Sequence, residues 1–265
     1  MRFLVAIPVF NEEKYARGVL ERVLAHAGNV LVVDDGSTDR TTEIVSEFPV
    51  DMIRHCVNRG YGQSLIDAFR WAHAEGYEWV LTMDCDEQHE PDEIPAFVER
   101  MRASDAARAA GQPATDIVSG SRYLLPTPLD DAPPADRRGV NAAITAELNQ
   151  RLGLALTDSF CGFKAHRTAA MASLGLTETG YAFPMQMWVR SSAAGLVVEE
   201  LPVTMIYNDP NRSFGEHLDD PAARLAHYRC VMHREILRAS GALPASARAG
   251  LHATGRACGE TPPRA

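Results

Sequence analysis

Short apolar runs that end in acid-bearing turns constrain this 265-residue chain more than any other feature. Residues 2–7, 30–33, 50–54, 78–83 and 115–119 read as strands. Between them lie stripes with helical spacing. Residues 13–27 carry Tyr15, Val19, Leu20, Val23 and Leu24 on one side, and residues 40–48, 63–74 and 92–103 follow the same rule. Runs that are apolar throughout suit strands covered on both faces, and strand–helix alternation implies a mostly parallel sheet. The predicted fold class is α/β: one Rossmann-like sheet flanked by helices, with an irregular second half.

In that second half, residues 124–134 hold four prolines and read as a loop. Residues 136–152, 167–174 and 181–194 read as helices, and 196–201 and 203–207 as strands split by Pro202. Residues 219–239 form a long amphipathic helix, with Leu225, Tyr228, Met232 and Ile236 on one side and Arg224, Arg229, Arg234 and Arg238 on the other. An apolar face flanked by arginines fits a membrane interface, but packing on the sheet or on a second subunit is the reading we favour. From residue 241 the composition turns to Ala, Gly, Pro and Arg, which predicts a disordered tail over 241–265.

Bulk properties exclude several functions. A net charge of −9 and a pI near 5.5 disfavour non-specific contact with nucleic acid or anionic lipid. The five cysteines are scattered, with no Cys-x-x-Cys pair, so neither zinc nor a disulfide framework is expected. A cytoplasmic location follows from that usage. The apolar N-terminal run is too short for a signal peptide, and no stretch predicts a transmembrane helix.

The strand ends carry the chemistry. The first predicted strand runs into Pro8-Val9-Phe10-Asn11-Glu12, the second into Asp34-Asp35-Gly36-Ser37, and the fourth into Asp84-Cys85-Asp86. Open α/β sheets bind ligands at that edge. Asp84 and Asp86 offer hard oxygens suited to Mg²⁺ or Mn²⁺, which share their coordination with water and a diphosphate. Carboxylates accept hydrogen bonds from ribose and base N–H groups, and Phe10 can cover a base. Asp34-Asp35-Gly36-Ser37 alone would read as a helix-capping turn; the convergence points to a nucleotide site. His89 reads as a supporting donor or helix-start residue, and Cys85 as silent core.

Those motifs, with Asn58-Arg59-Gly60, Gly120-Ser121-Arg122-Tyr123 and Asp158-Ser159-Phe160-Cys161-Gly162-Phe163-Lys164, resemble inverting nucleotide-sugar glycosyltransferases of the GT-A fold. Within them the chain most resembles the polyprenyl-phosphate branch, typified by dolichyl-phosphate mannose (or glucose) synthases. The resemblance spans about residues 2–213 and is strongest up to His89. It implies a donor half over 1–120, an acceptor half over 121–218 and the C-terminal helix over 219–240, together a 1–240 catalytic domain. It further implies that Pro8, Phe10, Glu12, Asp34, Asp35, Asn58, Gly60 and Asp84 bind the nucleotide sugar. Asp84, Asp86 and Gln88 would hold the metal, and Asp86, Arg122 and Asp158 would serve catalysis. Arg122, Lys164 and Arg212 would meet phosphate. Asp158 is either a base or an orienting residue, with orientation favoured. Tyr61-Gly62-Gln63 departs from the family pattern, as does Gln186, where an acidic residue is usual.

The expected reaction moves a hexose from GDP-mannose or a UDP-sugar to an acceptor, with polyprenyl phosphate first among candidates. Peripheral contact at the inner face of the membrane, or a membrane-protein partner, would bring the lipid within reach. The alternatives are transfer to a soluble hydroxyl acceptor, a sugar nucleotidyltransferase, and a non-catalytic nucleotide-sugar-binding protein. The slot after the first strand holds no Gly-rich, Arg-containing loop, which speaks against the nucleotidyltransferase.

Overall fold

The computed structural model describes residues 1–125, 131, 133–208 and 218–252. Among the described residues seven strands form one sheet in the order β3-β2-β1-β4-β6-β5-β7. They are β1 (Phe3–Val9), β2 (Val30–Asp34), β3 (Asp51–Arg54), β4 (Trp79–Thr82), β5 (Ile117–Ser121), β6 (Lys164–Arg167) and β7 (Val198–Pro202). The pairs β1–β2, β1–β4, β2–β3 and β5–β7 are parallel, while β6 runs antiparallel to both β4 and β5. The α/β expectation holds.

Alternation along β1 sends Leu4 and Ala6 to one face and Val5, Ile7 and Val9 to the other, and each set joins a separate core. The second face is covered by α1 (Ala16–Leu24), α2 (Thr41–Val45) and α4 (Ile94–Ala109). The first is covered by α3 (Tyr61–Ala74), α5 (Ala135–Leu152), α6 (Thr168–Ser173), α7 (Phe183–Ala193) and α8 (Pro221–Arg238).

β6 was not expected as a strand. Its sequence, Lys-Ala-His-Arg, has one apolar residue, and only pairing with β4 and β5 makes it a strand. Ala165 enters one core while His166 turns to the other face, where it meets the Phe69 ring edge-on at 5.1 Å. Residues 203–207, expected as a strand, form none. Beyond Val203, whose N–H still reaches the Ser121 carbonyl at 3.0 Å, side chains take over: Thr204 N–H donates to Glu93 Oε1 at 2.8 Å, and Tyr207 N–H to Asp131 Oδ2 at 2.7 Å.

α8 settles the question its sequence raised. The Asp220 carboxylate caps it by accepting from Ala223 N–H at 2.7 Å, and Pro221 opens the first turn. Tyr228, Val231, Met232 and Ile236 are buried in the core, so its apolar face packs within the chain. Among the described residues no helix is long and apolar enough to cross a membrane. The disordered tail needs correction over 241–252. Leu243 and Ala247 are buried, and Arg151 donates to the carbonyls of Ala247 and Ala249 at 3.0 and 3.1 Å. The remainder, 253–265, lies outside the described residues.

Candidate active site

Strand order 3-2-1-4 places the ends of β1, β2 and β4 side by side, and a cavity of about 840 Å³ opens there. Pro8, Phe10, Glu12, Asp35, Asn58, Gly60, Asp84, Asp86, Gln88, Arg122 and Lys164 all line it. The predicted residues from both halves of the chain therefore meet in one cleft. Arg212 lies outside the described residues.

The β1 and β2 turns are stitched together. Asn11, with φ of 56°, receives Thr38 N–H at 2.8 Å and donates its own N–H to Ser37 Oγ at 3.0 Å. Glu12 N–H donates to Thr41 Oγ1 at 2.7 Å. These bonds hold Phe10 out of the core, 43% exposed. Asp35 organises the next wall: its carboxylate accepts from the N–H groups of Arg59 and Gly60, both at 2.8 Å, and faces His55 Nδ1 at 2.6 Å. The other His55 ring nitrogen faces Asp67 at 3.1 Å.

Asp34 is a correction. Expected on the nucleotide, it is fully buried and off the cavity wall, accepting from Ser37 N–H at 2.8 Å and from the Thr42 hydroxyl. Its neighbour Asp35 reaches the cleft because adjacent strand residues point to opposite sides.

At the β4 end, Asp84 Oδ1 accepts from the Tyr61 hydroxyl at 3.1 Å. A Cβ on Gly162 would sit 2.5 Å from Asp84 Oδ2, so the missing side chain makes room for this carboxylate. Asp86 Oδ1 accepts Gln88 N–H at 3.0 Å, with Glu87 between them at a positive φ of 58°. Asn208 donates to the Asp86 carbonyl at 2.8 Å. His89 stands behind: its Nδ1 accepts Asp84 N–H at 3.0 Å and its ring stacks on Phe163. Cys85 is core, as expected.

Among the described residues no group of three or more His, Cys, Asp or Glu side chains is arranged to hold a metal. Two strand-end carboxylates, with Gln88 beside them on the cavity wall, make an open donor set. That set fits a hard cation completing its shell with water and diphosphate oxygens, not a closed protein cage.

The other wall is built differently. Arg122 grips Asp158 through Nε–Oδ2 at 2.7 Å and Nη2–Oδ1 at 3.1 Å. Asp158 is fully buried and off the cavity wall, and also accepts from Asn141 Nδ2 at 2.8 Å and the N–H groups of Phe160 and Cys161. Burial opposes its ionisation, yet the Arg122 charge and these donors hold its carboxyl well below the usual range. That geometry orients Arg122 and leaves Asp158 no free face as a base.

Lys164 is also buried; burial pulls its ammonium down and the nearby carboxylates resist. It sits over the Trp188 ring at 5.6 Å and has no ion-pair partner within 4.0 Å among the described residues. Six of the seven tyrosines (Tyr15, Tyr61, Tyr123, Tyr181, Tyr207 and Tyr228) line the cavity. Sequence reading assigned none of them a role in the cleft. Arg224 and Tyr228 also reach it, because α8 forms part of the wall.

A sequence profile described as glycosyl transferase family 2 matches residues 4–173, well over half the chain. The chain belongs to glycosyl transferase family 2. This glycosyltransferase is 29% identical over 226 residues to the undecaprenyl-phosphate mannosyltransferase of Micrococcus luteus, covering 82% of this chain and 86% of that protein. It is 28% identical to the polyprenol monophosphomannose synthase of Mycolicibacterium smegmatis, with 77% of each chain covered. A third relative, at 26% identity, is the UDP-N-acetylglucosamine–dolichyl-phosphate N-acetylglucosaminyltransferase of Methanococcus voltae, with 80% of this chain and 88% of that protein covered. Among solved structures, glucosyl-3-phosphoglycerate synthase of Mycobacterium tuberculosis, in complex with Mn²⁺, UDP-glucose and phosphoglyceric acid, superposes with a TM-score of 0.61. The identity is 18%, with 92% of this chain and 81% of that chain covered, and the likeness is one of fold: GT-A. The branch resemblance and the glycosyltransferase assignment thus hold for this chain.

Proposed function

We propose that this glycosyltransferase moves a hexose from GDP-mannose or a UDP-sugar to a polyprenyl phosphate, with inversion at the anomeric carbon. The observation that carries the reading is one cleft with Asp84 and Asp86 on its β4 edge and, on its wall, Lys164, which has no ion-pair partner among the described residues. The names of three relatives contain undecaprenyl-phosphate, polyprenol monophosphomannose and dolichyl-phosphate, which supports the acceptor class.

In this reading Phe10 covers the base, while Pro8, Glu12, Asp35, Asn58 and Gly60 shape the nucleoside wall. Asp84, Asp86 and Gln88 would hold Mg²⁺ or Mn²⁺, which when bound supplies Lewis-acid relief of charge on the leaving diphosphate. Lys164 would meet the acceptor phosphate, with Arg122 oriented beside it by Asp158. A phosphate is already anionic at neutral pH and needs no general base, which agrees with a carboxylate locked in an ion pair. Val140, Phe160, Phe183 and Met187 suit an isoprenoid chain. The apolar face of α8 is spent on the core, so membrane contact would be peripheral and weak, or through a partner.

The test is a donor panel with purified protein and Mn²⁺, offering polyprenyl phosphate against small alcohols. Transfer to the lipid phosphate, lost in excess chelator, is expected. Equal or faster transfer to an alcohol, with a basic limb in the pH–rate profile, would reject the lipid acceptor. Tight binding of the intact chain to liposomes would reject weak peripheral contact.

A further inference from the structure

We infer that Tyr61 is a positioning residue for Asp84: its hydroxyl sets the carboxylate that meets the donor diphosphate, and its ring ties that carboxylate to the acceptor-side turn bearing Tyr181. The inference rests on the function proposed above and assigns a role to a position that departs from the family pattern.

Three contacts carry it. Among the described residues the Tyr61 hydroxyl, at 3.1 Å, is the one hydrogen-bond donor to the Asp84 carboxylate; the His89 ring stays 3.9 Å from Oδ2. The backbone at Gly162 closes the opposite side, so Asp84 is held between a hydroxyl and a main chain. The Tyr61 ring then stacks on Tyr181, with centroids 6.0 Å apart and planes 17° from parallel.

The turn behind Tyr181 is itself fixed. Gln186, fully buried, accepts from the N–H groups of Thr177 and Glu178, both at 2.7 Å. Gln63 N–H donates to the Thr179 carbonyl at 3.1 Å. Gly60, at φ of 99°, admits that same carbonyl where any Cβ would collide. The first turn of α3 is thereby keyed to residues 177–181, and Tyr61 carries that fit to Asp84.

Chemistry keeps the link a donor. A phenolic O–H donates and the Asp84 carboxylate accepts, at 3.1 Å. One bond to Oδ1 leaves the remaining carboxylate lone pairs for a cation or ligand.

Calorimetric titration of UDP and GDP, with and without Mn²⁺, tests this on the intact chain. The readout is the gain in affinity that the metal confers. Tyr61→Phe keeps the stacked ring and is expected to reduce that gain about tenfold, leaving metal-free affinity unchanged. In an Asp84→Asn background the same change should add nothing, since both act through one carboxylate. Wild-type gain in Tyr61→Phe alongside a lost gain in Asp84→Asn would overturn the inference. So would an equal loss in both backgrounds, which marks a packing role. Full metal gain in Asp84→Asn itself would instead overturn the proposed function, and this inference with it.

Discussion

The two walls of the cleft solve opposite problems with the same residue types. On the β1–β2–β4 side, acids stand at strand ends and reach the cavity, with Asp84 and Asp86 held by one hydroxyl and a main-chain N–H. On the β5–β6 side, charges meet one another first: Arg122 is neutralised by buried Asp158, and buried Arg224 by Asp136 at 2.9 Å. On the first wall, Asp84 faces the cavity with a single hydrogen bond to its carboxylate among the described residues. The second is mostly complete already, and Lys164 is its exception.

The largest effect should come from breaking the second wall. Asp158→Asn leaves the Arg122 charge without its counterion and should destabilise the fold by about 3–5 kcal/mol in denaturant unfolding. The pH dependence has a definite sign. The Asp158 carboxyl sits below its unfolded value, so its stabilisation is present above about pH 4 and is lost as pH falls through the folded value. Wild type should lose stability on acidification below pH 4, and the variant should show less of that loss. A variant as stable as wild type at pH 7 would mean that the two walls do not differ in this way.

Next is the first wall. Asp86→Ala should cut turnover by about 10²–10³-fold while the unfolding midpoint barely moves, because little of the core depends on that carboxylate. Full activity in excess chelator would refute the open-site contrast. Gly162→Ala sharpens the comparison, since it pushes a β6-side backbone position into Asp84. A carboxylate moved by about 1 Å should cost about 10²-fold in kcat. Unchanged kcat would show that Asp84 tolerates displacement. The smallest effect is expected for Asp35→Ala. Losing the acceptor for Arg59 and Gly60 N–H should weaken nucleoside diphosphate binding about tenfold, whichever sugar is attached. Unchanged affinity for the free diphosphate would remove Asp35 from the nucleoside wall.

The first wall was legible because short runs that are apolar throughout announce buried strands and the residues after each run fall at the sheet edge. Phe10, Asp35 and Asp84 all arrive in the cleft that way. The second wall was less so. β6 has no apolar signature, and the 203–207 segment reads as a strand yet is held by Glu93 and Asp131 side chains. Asp34 shows the limit within the legible wall: two adjacent acids carry the same local signal, and the strand's own alternation buries one beneath the turn.

Local pattern by itself determined the α/β class, the strand ends and the acids they bear, because those follow from backbone periodicity and short-range turn chemistry. The tertiary structure alone decided which charges are available and which are consumed. Arg122 meets Asp158 across 36 residues, Tyr61 meets Asp84 across 23, and α8 brings Tyr228 onto the Phe160 ring. An ion pair, a hydroxyl contact or a buried ring depends on distances that span separate elements, and nothing in the neighbouring sequence encodes those distances.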